Sequence, residues 1–119
     1  MRANVLAHYL AQSLPEAVWG GQGLTFQANL FTTPLPAKPD KCVTVTEDGA
    51  LVTVRGDREN YRDAYALAHR INAVLNGMVT SEVVEGAMLM AVSASHPEYV
   101  GGDEERPVFT IACSATIEL

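Results

Sequence analysis

The chain has 119 residues, a size at which one hydrophobic core suffices and roughly two thirds of the unfolded surface becomes buried. With 48% hydrophobic and 18% charged residues and no low-complexity tract, its composition is that of a folded domain and not of a disordered segment. A formal charge of -6 and a pI near 4.9 argue against a surface built to grip phosphates, since nucleic-acid affinity comes mainly from clustered Lys and Arg.

Met1 and Arg2 lead straight into an amphipathic pattern without the apolar core of a signal peptide, and no stretch approaches the ~20 apolar residues of a membrane span. The expectation is a cytosolic protein at synthesis. Cys42 and Cys113 are too few and too isolated for a disulfide framework or a zinc cluster, and read as small buried hydrophobes.

Asn4 can cap a first helix in which Val5, Leu6, Tyr9, Leu10 and Leu14 share one side, and Pro15 stops it. Glu16 to Gly23, with Trp19 and three glycines, reads as a loop; its glycines lack both dinucleotide spacing and a following Lys. Thr25 to Thr33 alternates through Phe26, Ala28 and Leu30, as a strand with one buried face does. Pro34, Pro36 and Pro39 then forbid regular pairing, so this segment reads as an extended linker between strands and not as a PxxP ligand.

Cys42 to Glu47 and Leu51 to Arg55 flank the turn pair Asp48 and Gly49, which predicts a hairpin. Gly56 lets the backbone leave the sheet, and Asp57 is placed to cap a long helix. In that helix Tyr61, Ala64, Ala68, Ile71, Leu75 and Met78 recur at steps of three and four, with Tyr65, Leu67 and Val74 widening the stripe, which predicts a buried face. Arg58, Glu59, Arg62, Asp63, His69, Arg70 and Asn76 fall on the hydrated side, where Glu59 and Arg62 can pair, and Gly77 closes the helix.

Glu82 and Glu85 suggest a brief polar loop before Ala87 to Ala94, a wholly apolar run expected at the centre of the sheet, with Met88 and Met90 as core filler. His96 to Arg106, rich in Gly and acids, reads as a long protruding loop. The chain closes with Phe109, Ile111, Cys113, Ala115 and Ile117 alternating against Thr110, Ala112, Ser114 and Thr116. Together these predict one α+β domain over residues 1–119: a mostly antiparallel sheet of four to five strands with two helices packed on one face.

No reactive constellation emerges. His8, His69 and His96 have no metal-ligand spacing with a Cys or carboxylate, no Ser lies in a nucleophile elbow, and neither Cys is flanked by groups that would lower its pKa. Asp103, Glu104 and Glu105 could hold a hard cation, but three adjacent acids in a loop are more often simply hydrated. No catalytic, metal or cofactor residue is assigned, and the chain is not read as an enzyme.

The strand ending VTVRG (Val52 to Gly56), the run DRENYRDAYALAHRINAVLNG and the closing YVGGDEERPVFTIACSATIE resemble the tail terminator proteins of long-tailed bacteriophages, a family that includes minor capsid and tail completion proteins. The likeness lies in order and spacing over residues 1 to 118: Arg55 and Gly56 end a strand; Tyr61, Ala64, Ala68, Ile71 and Leu75 are spaced along a helix; Gly101, Gly102 and Asp103 precede the last strand.

The resemblance implies a structural virion protein at the head-proximal end of the tail, assembled in the host cytoplasm. It implies a homohexameric ring that caps the tail tube, ends its polymerisation and docks the head completion or connector protein. DNA would pass through the bore without specific binding, helped by acidic side chains such as Asp103, Glu104 and Glu105 if they line it. The assembly-interface candidates are Arg55, Arg58, Arg62, Arg70, Gly101, Gly102, Asp103, Glu104, Glu105 and Arg106, with Arg55 expected to bridge to an acid across the subunit boundary. Two alternatives stay open: the neighbouring head completion or connector protein of the same virion, and a ferredoxin-like small-molecule binding domain, which would need a closed apolar pocket with convergent polar groups.

Overall fold

The computed structural model describes residues 2–14, 24, 28–47, 49–76, 78–84 and 86–118, with only the backbone path described at 2–4 and 78–84. The expected loop over Glu16 to Gly23, the start of the strand from Thr25, and the positions of Pro15, Asp48, Gly77 and Glu85 lie outside the described residues.

The elements run α1 (Arg2–Ser13), β1 (Leu30–Phe31), β2 (Cys42–Val45), β3 (Leu51–Arg55), α2 (Tyr61–Leu75), β4 (Met78–Val84), β5 (Ala87–Ala94), β6 (Glu98–Asp103) and β7 (Arg106–Glu118). The α+β class and the mostly antiparallel sheet are as expected. The described sheet is larger than expected, with seven strands in the order β1-β2-β3-β7-β5-β4 and β6 beside β7; β1 and β2 run parallel. Both extra strands arise where the sequence suggested loops. β4 includes Glu82, which pairs with Leu89, and β6 carries the glycines and Asp103 of the expected protruding loop.

β7 is the axis of the sheet. At roughly 3.3 Å per residue its thirteen residues span about 40 Å, and the molecule's longest dimension is 40 Å. Its first half is flanked by β3 on one edge (Leu51↔Ala112 to Arg55↔Val108) and β6 on the other (Glu98↔Thr110 to Asp103↔Arg106). Its second half pairs with β5, from Ala94↔Cys113 to Met88↔Glu118. The apolar run of β5 thus lies between β4 and β7, as its composition predicts.

Val5, Leu6 and Leu10 of α1 and Ala64, Leu67, Ala68, Ile71 and Leu75 of α2 join Val43, Val45, Val52, Val54, Leu89, Phe109 and Ile111 in one core cluster. Both helices therefore cover the same face of the sheet. Helix α1 begins at Arg2, so Asn4 lies inside its first turn and does not cap it.

The entry to α2 differs from expectation. Residues 57–60 form a turn closed by Asn60 N–H donating to Asp57 C=O at 3.1 Å, and the cap is Asn60, whose Oδ1 accepts from Asp63 N–H at 3.2 Å. Arg58 and Glu59 consequently sit in the turn and not on the helix wheel. Gly56 permits this close approach: a Cβ there would lie 2.8 Å from Ala64 Cβ and 3.3 Å from Asn60 O.

Candidate functional site

Two features stand out at the end of the sheet where β3, β6 and the start of β7 meet: a pair of buried arginines and an exposed aromatic face.

Arg55, only 1% exposed, closes β3. Its Nη2 donates to Pro36 O (2.6 Å) and Pro39 O (2.9 Å), its Nε to Asp40 O (2.9 Å), and its Nη1 to Asp103 Oδ2 (3.0 Å). Arg106 opens β7, buried as well. It donates to Ala37 O (2.8 Å), Asp40 Oδ1 (2.9 Å), Asp103 O (3.0 Å), Asp103 Oδ2 (3.1 Å) and Glu104 Oε2 (3.4 Å). The proline segment cannot join the sheet, so its carbonyls need other donors, and the two guanidiniums supply them. They tie residues 36–40 to the β6–β7 hairpin.

This clasp corrects the expectation for Arg55. The acid it meets is Asp103 of its own chain, and its donors are spent on the fold. The acidic run is likewise not three freely hydrated charges: Asp103 serves both arginines, Glu104 pairs with Arg106 and with Arg58 (3.8 Å), and Glu105 alone of the three makes no ion pair among the described residues. Glu104 and Glu105 are the two turn residues of the hairpin, with φ of 51 and 67. Positive φ at both central positions is what a two-residue hairpin turn requires, although such turns favour Asn and Gly.

The second feature is apolar. Among the described residues the exposed large hydrophobics are Tyr61 (47%), Tyr65 (45%), Tyr99 (50%) and Val100 (54%). Three of them form one cluster around the buried ring of Phe109: Tyr61 lies 5.1 Å from Phe109, 5.3 Å from Tyr99 and 6.0 Å from Tyr65, measured between ring centroids. His69 continues the row, 4.2 Å from Tyr65. Tyr61 and Tyr65 were expected in the buried stripe of α2, and the structure overturns that. Beside Phe109 and Tyr99 the described sheet ends at β6, and the Tyr61 and Tyr65 rings stay about half exposed. No described strand pairs with the outer edge of β6, which leaves a row of backbone donors and acceptors beside the rings.

Tyr61, Tyr99, Gly102, Pro107, Glu59 and Glu105 line a notch of about 150 Å³ at the end of this face, where Glu59 N–H donates to Glu105 O at 2.9 Å. Of the other candidates, Arg62 and Arg70 are exposed on α2, Gly101 and Gly102 lie in β6, and the expected pair between Glu59 and Arg62 is not formed. Tyr99 carried no signal of its own in the sequence, because Pro97 and the two glycines disguised its strand.

The described residues hold no group of three or more His, Cys, Asp or Glu placed to bind a metal. Burial pushes the Cys42 thiol above its ordinary range, the opposite of what a nucleophile needs. A depression of about 440 Å³ lined by Thr32, Thr33, Pro34, Leu35, Thr44, Thr46, Glu47 and Thr53 has one ionisable group, Glu47, and no convergent set of them. No helix of the described chain is long and apolar enough to cross a membrane.

The fold has a solved counterpart. A chain from the virion of a native gene transfer agent (GTA) particle superposes with a TM-score of 0.56 and 14% identity, over 92% of this chain and 84% of that one. No protein-family model matches the sequence, and no curated protein matches it. At that identity the likeness is one of fold.

Proposed function

We infer that this chain is a structural protein of a phage-like virion, acting as a ring that caps the tail tube, ends its polymerisation and offers a docking face to the head completion or connector protein. The observation that carries the reading is the fold shared with a virion chain over nearly the whole length. The resemblance of VTVRG, the α2 run and the closing hairpin to tail terminators supplies the finer assignment to the tail end and to a ring of six.

The molecule's surfaces fit this role. A closed ring needs two different patches on each subunit. The outer side of α2 with Arg62 and Arg70 is one candidate, and the edges of the described sheet at β1 and β4 offer the other. The arginine clasp has a different part: it fixes the β6–β7 hairpin so that the aromatic face is presented rigidly. The net charge of -6 suits a bore through which DNA slides without sticking. The role is assembly and not catalysis.

Negative-stain microscopy of the purified chain, alone and mixed with its tail tube protein, tests the reading. An annulus with a central hole, free or seated on tube ends, is expected. A protein that stays a compact monomer and leaves tube ends bare would overturn it.

A further inference from the structure

We propose that the outer edge of β6 is a docking site for an extended, arginine- or lysine-bearing segment of a different protein, which adds to the sheet as a strand and places a cationic side chain in the notch between Glu59 and Glu105. The proposal rests on reading this surface as an assembly face, and on neither the ring nor the tail.

Three observations converge on it. Among the described residues the backbone of Glu98–Asp103 is paired on its β7 side only, and the strand is among the most exposed of those whose burial is described, so half of its hydrogen-bonding groups face outward beside two apolar side chains, Tyr99 and Val100. An exposed edge of that kind is a template for another strand, with side-chain pockets giving specificity. Tyr61 and Tyr99 then stand 5.3 Å apart at the notch, and a cation held within about 6 Å of such rings is attracted to their faces. The charge at this face is negative: Glu59, Glu98 and Glu105 are exposed and make no ion pair among the described residues, Arg58 beside Glu59 is paired with Glu104 at 3.8 Å, and Arg62, exposed on the first turn of α2, bridges to none of them. At about 150 Å³ the notch suits one side-chain head group and is smaller than the roughly 300–1,000 Å³ typical of a small-molecule site.

The same observations separate a foreign partner from a second copy. The described strands of this chain contain two basic residues, Arg55 and Arg106, and both are buried in the clasp. A strand from a second copy would bring no accessible cation to the notch. A segment whose charge complements the face belongs to another chain.

Fluorescence anisotropy with labelled eight-residue peptides tests this on the full chain. One peptide alternates Val and Arg, a second Val and Glu, a third Val and Gln, and a fourth is the Val–Arg peptide with its outward amides N-methylated. The Val–Arg peptide is expected to bind best, more weakly as salt rises, and about tenfold more weakly to Tyr99→Ala and to the Glu59→Gln, Glu105→Gln double variant. N-methylation should abolish binding. Equal binding of the Val–Glu peptide, unchanged affinity in those variants, or unchanged affinity of the methylated peptide would each overturn the proposal. So would self-association of the chain that Tyr99→Ala removes and the Val–Arg peptide fails to compete. Thermal melts of the variants, whose altered side chains are exposed, establish that they fold. The peptides need neither ring nor tail, so a negative result here leaves the ring reading to its own test.

Discussion

Arg55 and Arg106 donate to the same carboxylate oxygen, Asp103 Oδ2, at 3.0 and 3.1 Å. That oxygen joins the end of β3 to the start of β7 through the hairpin that presents the aromatic face.

Removing it should be costly for the fold. Asp103→Ala leaves a buried guanidinium on Arg55 with its carbonyl acceptors but no counter-charge. Because the Asp103 side chain is 44% exposed, the loss should be that of a charge-assisted hydrogen bond, about 1.5–3 kcal/mol, below the 3–5 kcal/mol of a fully buried pair. Urea denaturation checks it. A midpoint equal to that of the parent would show that the clasp contributes nothing to stability.

The hairpin turn offers a test of opposite sign. Glu104 and Glu105 both hold positive φ, a conformation that disfavours side chains with a Cβ and favours Asn-Gly. Glu104→Asn with Glu105→Gly should raise stability by about 1 kcal/mol despite losing the long contacts of the exposed Glu104 carboxylate with Arg58 (3.8 Å) and with the buried Arg106 (3.4 Å). The same variant should bind the Val–Arg peptide less well, since it lacks one wall of the notch. A lower melting temperature would contradict the assignment of strain.

Where the chain leaves the sheet, packing decides. Gly56→Ala would place a methyl 2.8 Å from Ala64 Cβ, and α2 cannot retreat without opening the core beneath Leu67 and Ile71. Overpacking of this kind costs roughly 1–3 kcal/mol. Calorimetry that finds the variant as stable as the parent would mean that α2 is free to shift.

The cap of α2 separates what the sequence shows from what it conceals. Asp57 has the right chemistry and lies near the start of the periodic run, yet the turn over 57–60 delays the helix, and Asn60 takes the role. Asn60→Ala should therefore cost about 1 kcal/mol, whereas Asp57→Ala should cost little, losing a surface contact to Lys41 at 3.5 Å. The reverse ranking in thermal melts would restore Asp57 as the cap.

The same limit explains the rest. Period and turn chemistry were enough for α2, the β2–β3 hairpin, β5 and β7, because each buries one side against the core and its apolar spacing records that. β4 and β6 lack such a record. Glu82 sits within β4, and Pro97, Gly101 and Gly102 mask the pleat of β6, whose pairing is dictated by the neighbouring β7 and not by local preference. Arg55 and Arg106 were recognisable as notable cations, but their partners lie up to 69 residues away in sequence, and no spacing rule brings them together. The aromatic face was hidden for a related reason: a helical wheel assigns Tyr61 and Tyr65 to the buried stripe without knowing where the sheet ends.

The central claim is that this chain works by stopping and capping an assembly. Tail length in particles made without it, measured by electron microscopy, tests that most directly. Tubes of uncontrolled, excessive length without attached heads are the predicted result. Tubes of normal, uniform length joined to heads would contradict it.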